Sequence, residues 1–86
     1  MAEVTLLYFA WVRQKIGRSE ERIALPDGVA TVGDLAEWLR GRGPGYADAF
    51  ADVKRLRAAV NQEHVAFDAG IAPDDEIAFF PPVTGG

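Results

Sequence analysis

Polar and apolar positions alternate at a period of two at both ends of the chain and at a helical period between them. "EVTLLYFA" near the start is rich in β-branched and aromatic residues and reads as a first strand. Side chains alternate along a strand, so Val4, Leu6 and Tyr8 share one face and Thr5, Leu7 and Phe9 the other. Both faces are largely apolar, which predicts a central strand with one face on a core and the other covered or adhesive. "EIAFF" near the end alternates in the same way: Ile77 and Phe79 point to one side, Glu76, Ala78 and Phe80 to the other.

The strongest helical signal is "TVGDLAEWLRGRG". Val32, Leu35, Ala36 and Leu39 fall on one stripe. Thr31 suits the N-cap and Asp34 stands at the capping-box position, where Glu or Gln is more usual. Arg40 and Arg42 suit the C-terminal end of the dipole. The glycines and proline of "GRGPG" read as a helix stop. Trp38 flanks the stripe and reads as packing.

Weaker signals fill the remainder. "WVRQKIGRS", broken at Gly17, reads as a loop with a helical turn, and Glu21 to Leu25 as a second strand closed by a Pro26-Asp27-Gly28 turn. "YADAFADVKRL" suits a short helical segment, and "RAAVNQEHVAFD" two short strands about a turn at Asn61-Gln62-Glu63. The order is therefore β-β-α-(short helix)-β-β-β. A sheet of four to five strands with one main helix on a single face is an α+β roll.

Composition narrows the chemistry. The chain has 86 residues, 49% hydrophobic and 26% charged, enough for one small core. A net charge of −4 argues against binding driven by phosphate neutralisation, and the basic stretches "RQKIGR" and "KRLR" are too small to reverse that. No nucleic-acid partner is expected. The absence of cysteine removes disulfides, thiolate metal sites and cysteine nucleophiles. The first residues carry Glu3 and no basic leader, and their apolar run is too short to span a bilayer. The expectation is a cytoplasmic protein without a membrane partner.

Candidate catalytic residues are scarce. The single histidine, His64, lies at a predicted hairpin with no nucleophile or orienting group in sight. Asp74-Asp75-Glu76 reads as a solvated turn, since a calcium loop needs more, regularly spaced oxygens. "GRGPG" lacks the spacing and context of a phosphate loop. No metal site or bound cofactor is expected in this chain.

The ending, "FFPPVTGG", remains to be explained. Pro81 and Pro82 stop the ladder and start an extended, stiff segment. Val83 and Thr84 favour extension. Gly85 and Gly86 have no side chains and could enter a narrow channel. Residues 1–80 thus read as the domain and residues 81–86 as a flexible arm. The expectation is that a free carboxylate on Gly86 is its reactive group. A frayed end is the alternative, which the apolar "FFPPVT" disfavours.

The whole chain resembles a known family. The β-β-α pattern resembles the ubiquitin-like β-grasp fold, in which the first and last strands run side by side at the sheet centre. "DDEIAFFPPVTGG", "LLYFAWVRQKIG" and "LRAAVNQEHVAFD" resemble the C-terminus, first strand and middle hairpin of the sulfur-carrier small subunits of molybdopterin synthase. The resemblance implies that an ATP-dependent activating enzyme adenylates Gly86, and that a persulfide sulfur-donor protein converts it to a thiocarboxylate. The tail, Pro81 to Gly86, then enters the large synthase subunit and donates sulfur to cyclic pyranopterin monophosphate, two transfers building the dithiolene that binds molybdenum or tungsten. ATP is used by the activating enzyme. Catalytic residues are expected in the large subunit, within a heterotetramer, and this chain is then a non-catalytic donor.

If the first and last strands are adjacent, Phe9 and Phe80 form one apolar patch at the base of the tail. Exposed aromatic clusters commonly meet partners. His64 stands where the family often has an apolar residue and is a candidate rim contact. Three other readings stay open: a ubiquitin-like protein modifier, a sulfur carrier for thiamine or tRNA thiolation, and a binding module whose tail is captured as a peptide.

Overall fold

The computed structural model describes residues 2–82. Five strands form one mixed sheet: β1 (Glu3–Tyr8), β2 (Glu20–Ala24), β3 (Arg57–Val60), β4 (Glu63–Val65) and β5 (Glu76–Phe80). Their order across the sheet is β2-β1-β5-β3-β4. β1 and β5 are parallel at the centre, with Tyr8 opposite Phe79, and the other neighbours are antiparallel. The expected adjacency of the first and last strands is therefore present. Among the described residues no helix is long and apolar enough to cross a membrane.

Three helices are present: α1 (Ala10–Ile16), α2 (Val32–Arg40) and α3 (Pro44–Ala49), followed by a 3-10 turn at Val53–Arg55. One core collects Val4, Leu6 and Tyr8 of β1, Ile77 and Phe79 of β5, Val12 of α1, Leu35 and Leu39 of α2, and Phe50 after α3. Phe50 and Phe79 meet edge to face at 5.0 Å between centroids. The expected core faces of β1, β5 and α2 are the faces buried.

α2 begins as the sequence suggests. The Thr31 hydroxyl accepts from the Asp34 amide, and the Asp34 carboxylate accepts in return from the amides of Thr31 and Ala30. Those amides, Ala30 first, hold the Asp34 carboxyl below its ordinary range, against a smaller opposing effect of desolvation. Trp38 is on the exposed side of the stripe, with the Arg42 guanidinium 5.3 Å from its ring.

Two local readings need correction. "WVRQKI" is a helix rather than a loop with a turn: seven residues bury only Val12 fully, too short a stripe to register as periodic. Phe9 caps that helix instead of ending β1, and Ala10 turns the chain with a φ of 54°. "GRGPG" ends α2 and also begins α3, with Gly43 as N-cap and Pro44 in the first turn, a position proline favours. Gly45 lets α3 lie on α1, because a Cβ there would come within 2.5 Å of the Lys15 carbonyl oxygen.

A polar knot fastens β2 to this helical layer. Glu21 points inward beside Ile23, and its side chain is 6% exposed. It accepts from the hydroxyls of Tyr8 and Tyr46, both at 2.7 Å, and from Arg42 at 2.9 Å. Desolvation would raise the Glu21 pKa, but bonds from Tyr46, Tyr8 and Arg42 together hold it below the ordinary value. Burial first, then the bond to Glu21, raises the Tyr8 and Tyr46 phenols. Arg18, exposed, adds a longer contact at 3.4 Å; the acid is satisfied, and removing it would strand Tyr8, Tyr46 and Arg42.

Candidate docking face and tail exit

The helices cover one face of the sheet, and the other carries a shallow groove of about 560 Å³ lined by Leu7, Phe9, Ala59, Gln62, His64, Glu76, Ala78 and Phe80. The strand register builds its floor. Leu7 is opposite Ala78, Ala78 opposite Ala59, and Ala59 opposite His64, so one row crosses four strands. Two alanines in the middle of that row make the depression.

Aromatic rings border it toward the tail. Phe9 is 48% exposed, a large apolar area for a small domain. Its amide donates to the Phe79 carbonyl at 3.2 Å, which places Phe9 beside the end of β5. Phe80 is half-buried, and the His64 ring lies tilted against it at 5.1 Å. Thus Phe9, Phe80 and His64, separated widely in the sequence, converge on one groove.

The far end is held by Asn61. Its amide and side-chain oxygen bond the two backbone groups of Glu76, and its Nδ2 donates to Asp75 at 3.0 Å. Asn61 and Gln62 both have positive φ, 51° and 71°, as a two-residue hairpin of this twist requires. Asp75 also braces the turn before β5, its carboxylate accepting from the Ala72 amide. Among the described residues no three His, Asp or Glu side chains converge as a metal site.

Pro81 and Pro82 follow β5 directly and are half-buried, outside any strand. Val83, Thr84, Gly85 and Gly86 lie outside the described residues. β5 is central, so the chain leaves the domain from the middle of the sheet, next to Phe9 and Phe80. Alternation puts Leu7, Glu76 and Ala78 on the outward face; that they share a groove with Ala59 and Gln62 depends on the strand pairing. A second depression of about 330 Å³, between Trp11, Ala49 and Arg55, is spanned by the Lys15–Asp48 ion pair at 2.7 Å.

Comparisons with known proteins agree with this architecture. The chain is 41% identical over 83 residues to the molybdopterin synthase sulfur carrier subunit of Escherichia coli, covering 96% of this chain and 99% of that one. It is 40% identical over 83 residues to the Haemophilus influenzae protein of the same name, with the same coverage. The crystal structure of SAMP1 from Haloferax volcanii superposes with a TM-score of 0.75 at 31% identity, covering 98% of this chain and 99% of that one. SAMP1 stands for small archaeal modifier protein 1. The ThiS family matches residues 6–86, so nearly the whole sequence, from the middle of β1 through the Gly-Gly ending, belongs to the ThiS family.

Proposed function

We propose that this chain is the sulfur-carrier subunit of a molybdopterin synthase. The observation that carries the reading is its near full-length similarity to subunits of that name, on a fold whose last strand delivers Pro81 and Pro82 beside an apolar groove.

The Gly86 carboxylate attacks the α-phosphorus of ATP on the activating enzyme, forming an acyl-adenylate and releasing pyrophosphate. A persulfide sulfur displaces AMP, and a second thiol of the donor attacks the donor-side sulfur of the resulting acyl disulfide, forming a donor disulfide and releasing the thiocarboxylate. The tail then enters the large subunit and gives its sulfur to cyclic pyranopterin monophosphate, returning as the carboxylate. Phe9 and Phe80 anchor the carrier while the tail is inserted. Phe9 is 48% exposed and Phe80 half-buried, so covering what remains of both rings contributes about 1.5–3 kcal/mol gross, before the costs of association.

Intact-mass measurement after incubation with the activating enzyme, ATP and a persulfide donor tests the reading. Replacement of one oxygen by one sulfur supports it, and addition of the large subunit and the pterin then tests delivery. The similarity to SAMP1 favours a second reading, in which the activated Gly86 acylates a lysine. Lysine-linked adducts without sulfur exchange would transfer the assignment to a modifier.

A further inference from the structure

Charge on this domain is sorted along the strands. Glu3 begins β1, Glu63 begins β4, Glu76 begins β5, and Asp74 and Asp75 immediately precede it. These starts lie together: the Glu3 carbonyl accepts from the Asp74 amide, and the Asp75 carbonyl from the Thr5 amide. Arg22 is committed to this acidic end, bonded to Glu3 at 2.6 Å and Asp74 at 3.4 Å.

The opposite end, where the tail leaves, carries cations. Arg57 is the cross-strand partner of Phe80. Lys54 and Arg55 belong to the turn just before it, and the Arg55 guanidinium lies 5.9 Å from the ring of Trp11 in the first turn of α1. All three are exposed. Lys15, Arg18, Arg22, Arg40 and Arg42 each have a carboxylate within 4.0 Å, whereas among the described residues Arg13, Lys54, Arg55 and Arg57 have none. Two acids stand nearby: Asp48 pairs with Lys15, and Asp52 accepts from the Lys54 amide and keeps its charge, which leaves the three cations in excess. Glu20 stands on β2, three strand spacings from β3, or roughly 14 Å. Three of the four unpaired cations of this acidic protein thus stand at the end of the sheet where the tail emerges.

Chain length decides what these cations can meet. Six residues follow Phe80, and six residues span at most ~20 Å. With an extended tail inserted in a cleft, cations rooted beside Phe80 stay at its mouth, far from phosphates at the reacting carboxyl. Their counterpart is then the rim of a protein cleft. Steering by such charges raises encounter rates more than final affinity, so it benefits a partner that must be met and left repeatedly. In the sulfur-carrier reading, on which this inference rests, the activating enzyme is met afresh for each sulfur loaded, and the collar is assigned to that encounter.

We propose that Lys54, Arg55 and Arg57 form an electrostatic collar at the tail exit that docks on an acidic rim around the activating enzyme's cleft. The collar speeds and orients encounter and takes no part in the chemistry.

Stopped-flow association of the full-length chain with its activating enzyme, across a series of salt concentrations, tests this. The wild-type on-rate should fall as salt rises. The double reversal K54E/R55E should lower it about 10-fold or more at low salt and flatten the salt dependence. D27K, a reversal in the exposed turn after β2, should not slow association. Arg57 also bonds the carbonyls of Leu56 and Lys54, so R57E is compared only after its thermal midpoint is measured. An unchanged on-rate and salt slope in K54E/R55E would overturn the collar. So would retention of the wild type on duplex RNA at low salt, lost in K54E/R55E, with enzyme association unaffected. Sulfur exchange on the wild type is read separately by mass: its absence refutes the carrier reading, whereas normal exchange with unchanged variant kinetics refutes only the collar.

Discussion

The two faces of the sheet are built from the same strands and put to opposite uses. Under the helices, Leu6, Ile77 and Phe79 are completely buried and β1 and β5 interlock with α2. On the open face, their immediate neighbours Leu7, Ala78 and Phe80 line a groove with two alanines at its centre. One face is filled to hold the fold, and the other has its middle left hollow and its rim aromatic. Adjacent residues in "FF" therefore carry different free energies: Phe79 stabilises the monomer, while Phe80 is available to a partner.

The largest expected effect separates these two phenylalanines. Phe79→Ala should cost about 3–5 kcal/mol, measured by denaturant unfolding, because it leaves a cavity against Phe50 and Phe67. Phe80→Ala should cost the monomer less than about 1.5 kcal/mol, yet weaken binding to the large synthase subunit at least about tenfold in titration calorimetry. Equal affinities for wild type and Phe80→Ala would remove the open face from the docking scheme.

The polar knot sharpens the same contrast from the stable side. Glu21→Ala should cost roughly 3 kcal/mol by stranding Tyr8, Tyr46 and Arg42. Its pH dependence has a defined sign. The folded-state pKa of Glu21 is lowered, so its contribution is complete above the unfolded value, near ~4.3, and is lost as pH falls through the folded value. Unfolding of Glu21→Gln followed across the acid range should show a shallower loss of stability than wild type; parallel profiles would contradict the role assigned to this carboxylate.

Smaller effects probe local structure. Thr31→Ala should cost about 1 kcal/mol by removing the cap of α2, read from the thermal midpoint. Gln62→Gly should stabilise the domain by about 0.5 kcal/mol, since glycine relieves a left-handed residue at the hairpin while giving up little else. A loss of stability instead would mean that the Gln62 side chain holds the end of the groove.

Legibility followed the range of the interaction. The stripe and cap of α2 and the inward alternation of β1 and β5 were evident because residues two to four positions apart decide them. α1 reads as a loop with only a helical turn, because seven residues with one fully buried side chain carry too little periodicity. Glu21 passed unnoticed as a strand residue, although an acid in line with Ile23 and Leu25 was the sign of a satisfied interior charge. His64 was placed at a hairpin without its neighbour, because nothing local announces that Phe80 lies 5.1 Å away.

The sequence by itself determined which face of each strand is apolar, where the main helix begins, and that two prolines follow the last strand. Those are consequences of side-chain alternation, capping and proline's missing amide, all properties of a few consecutive residues. Only the tertiary structure decided that β1 and β5 lie side by side, that Leu7, Ala78, Ala59 and His64 form one row, and that Arg57 stands opposite Phe80. Except for Ala59 and His64, which face each other across the hairpin, those pairings join residues far apart in the chain. They depend on how the whole core closes, which no short stretch of sequence contains.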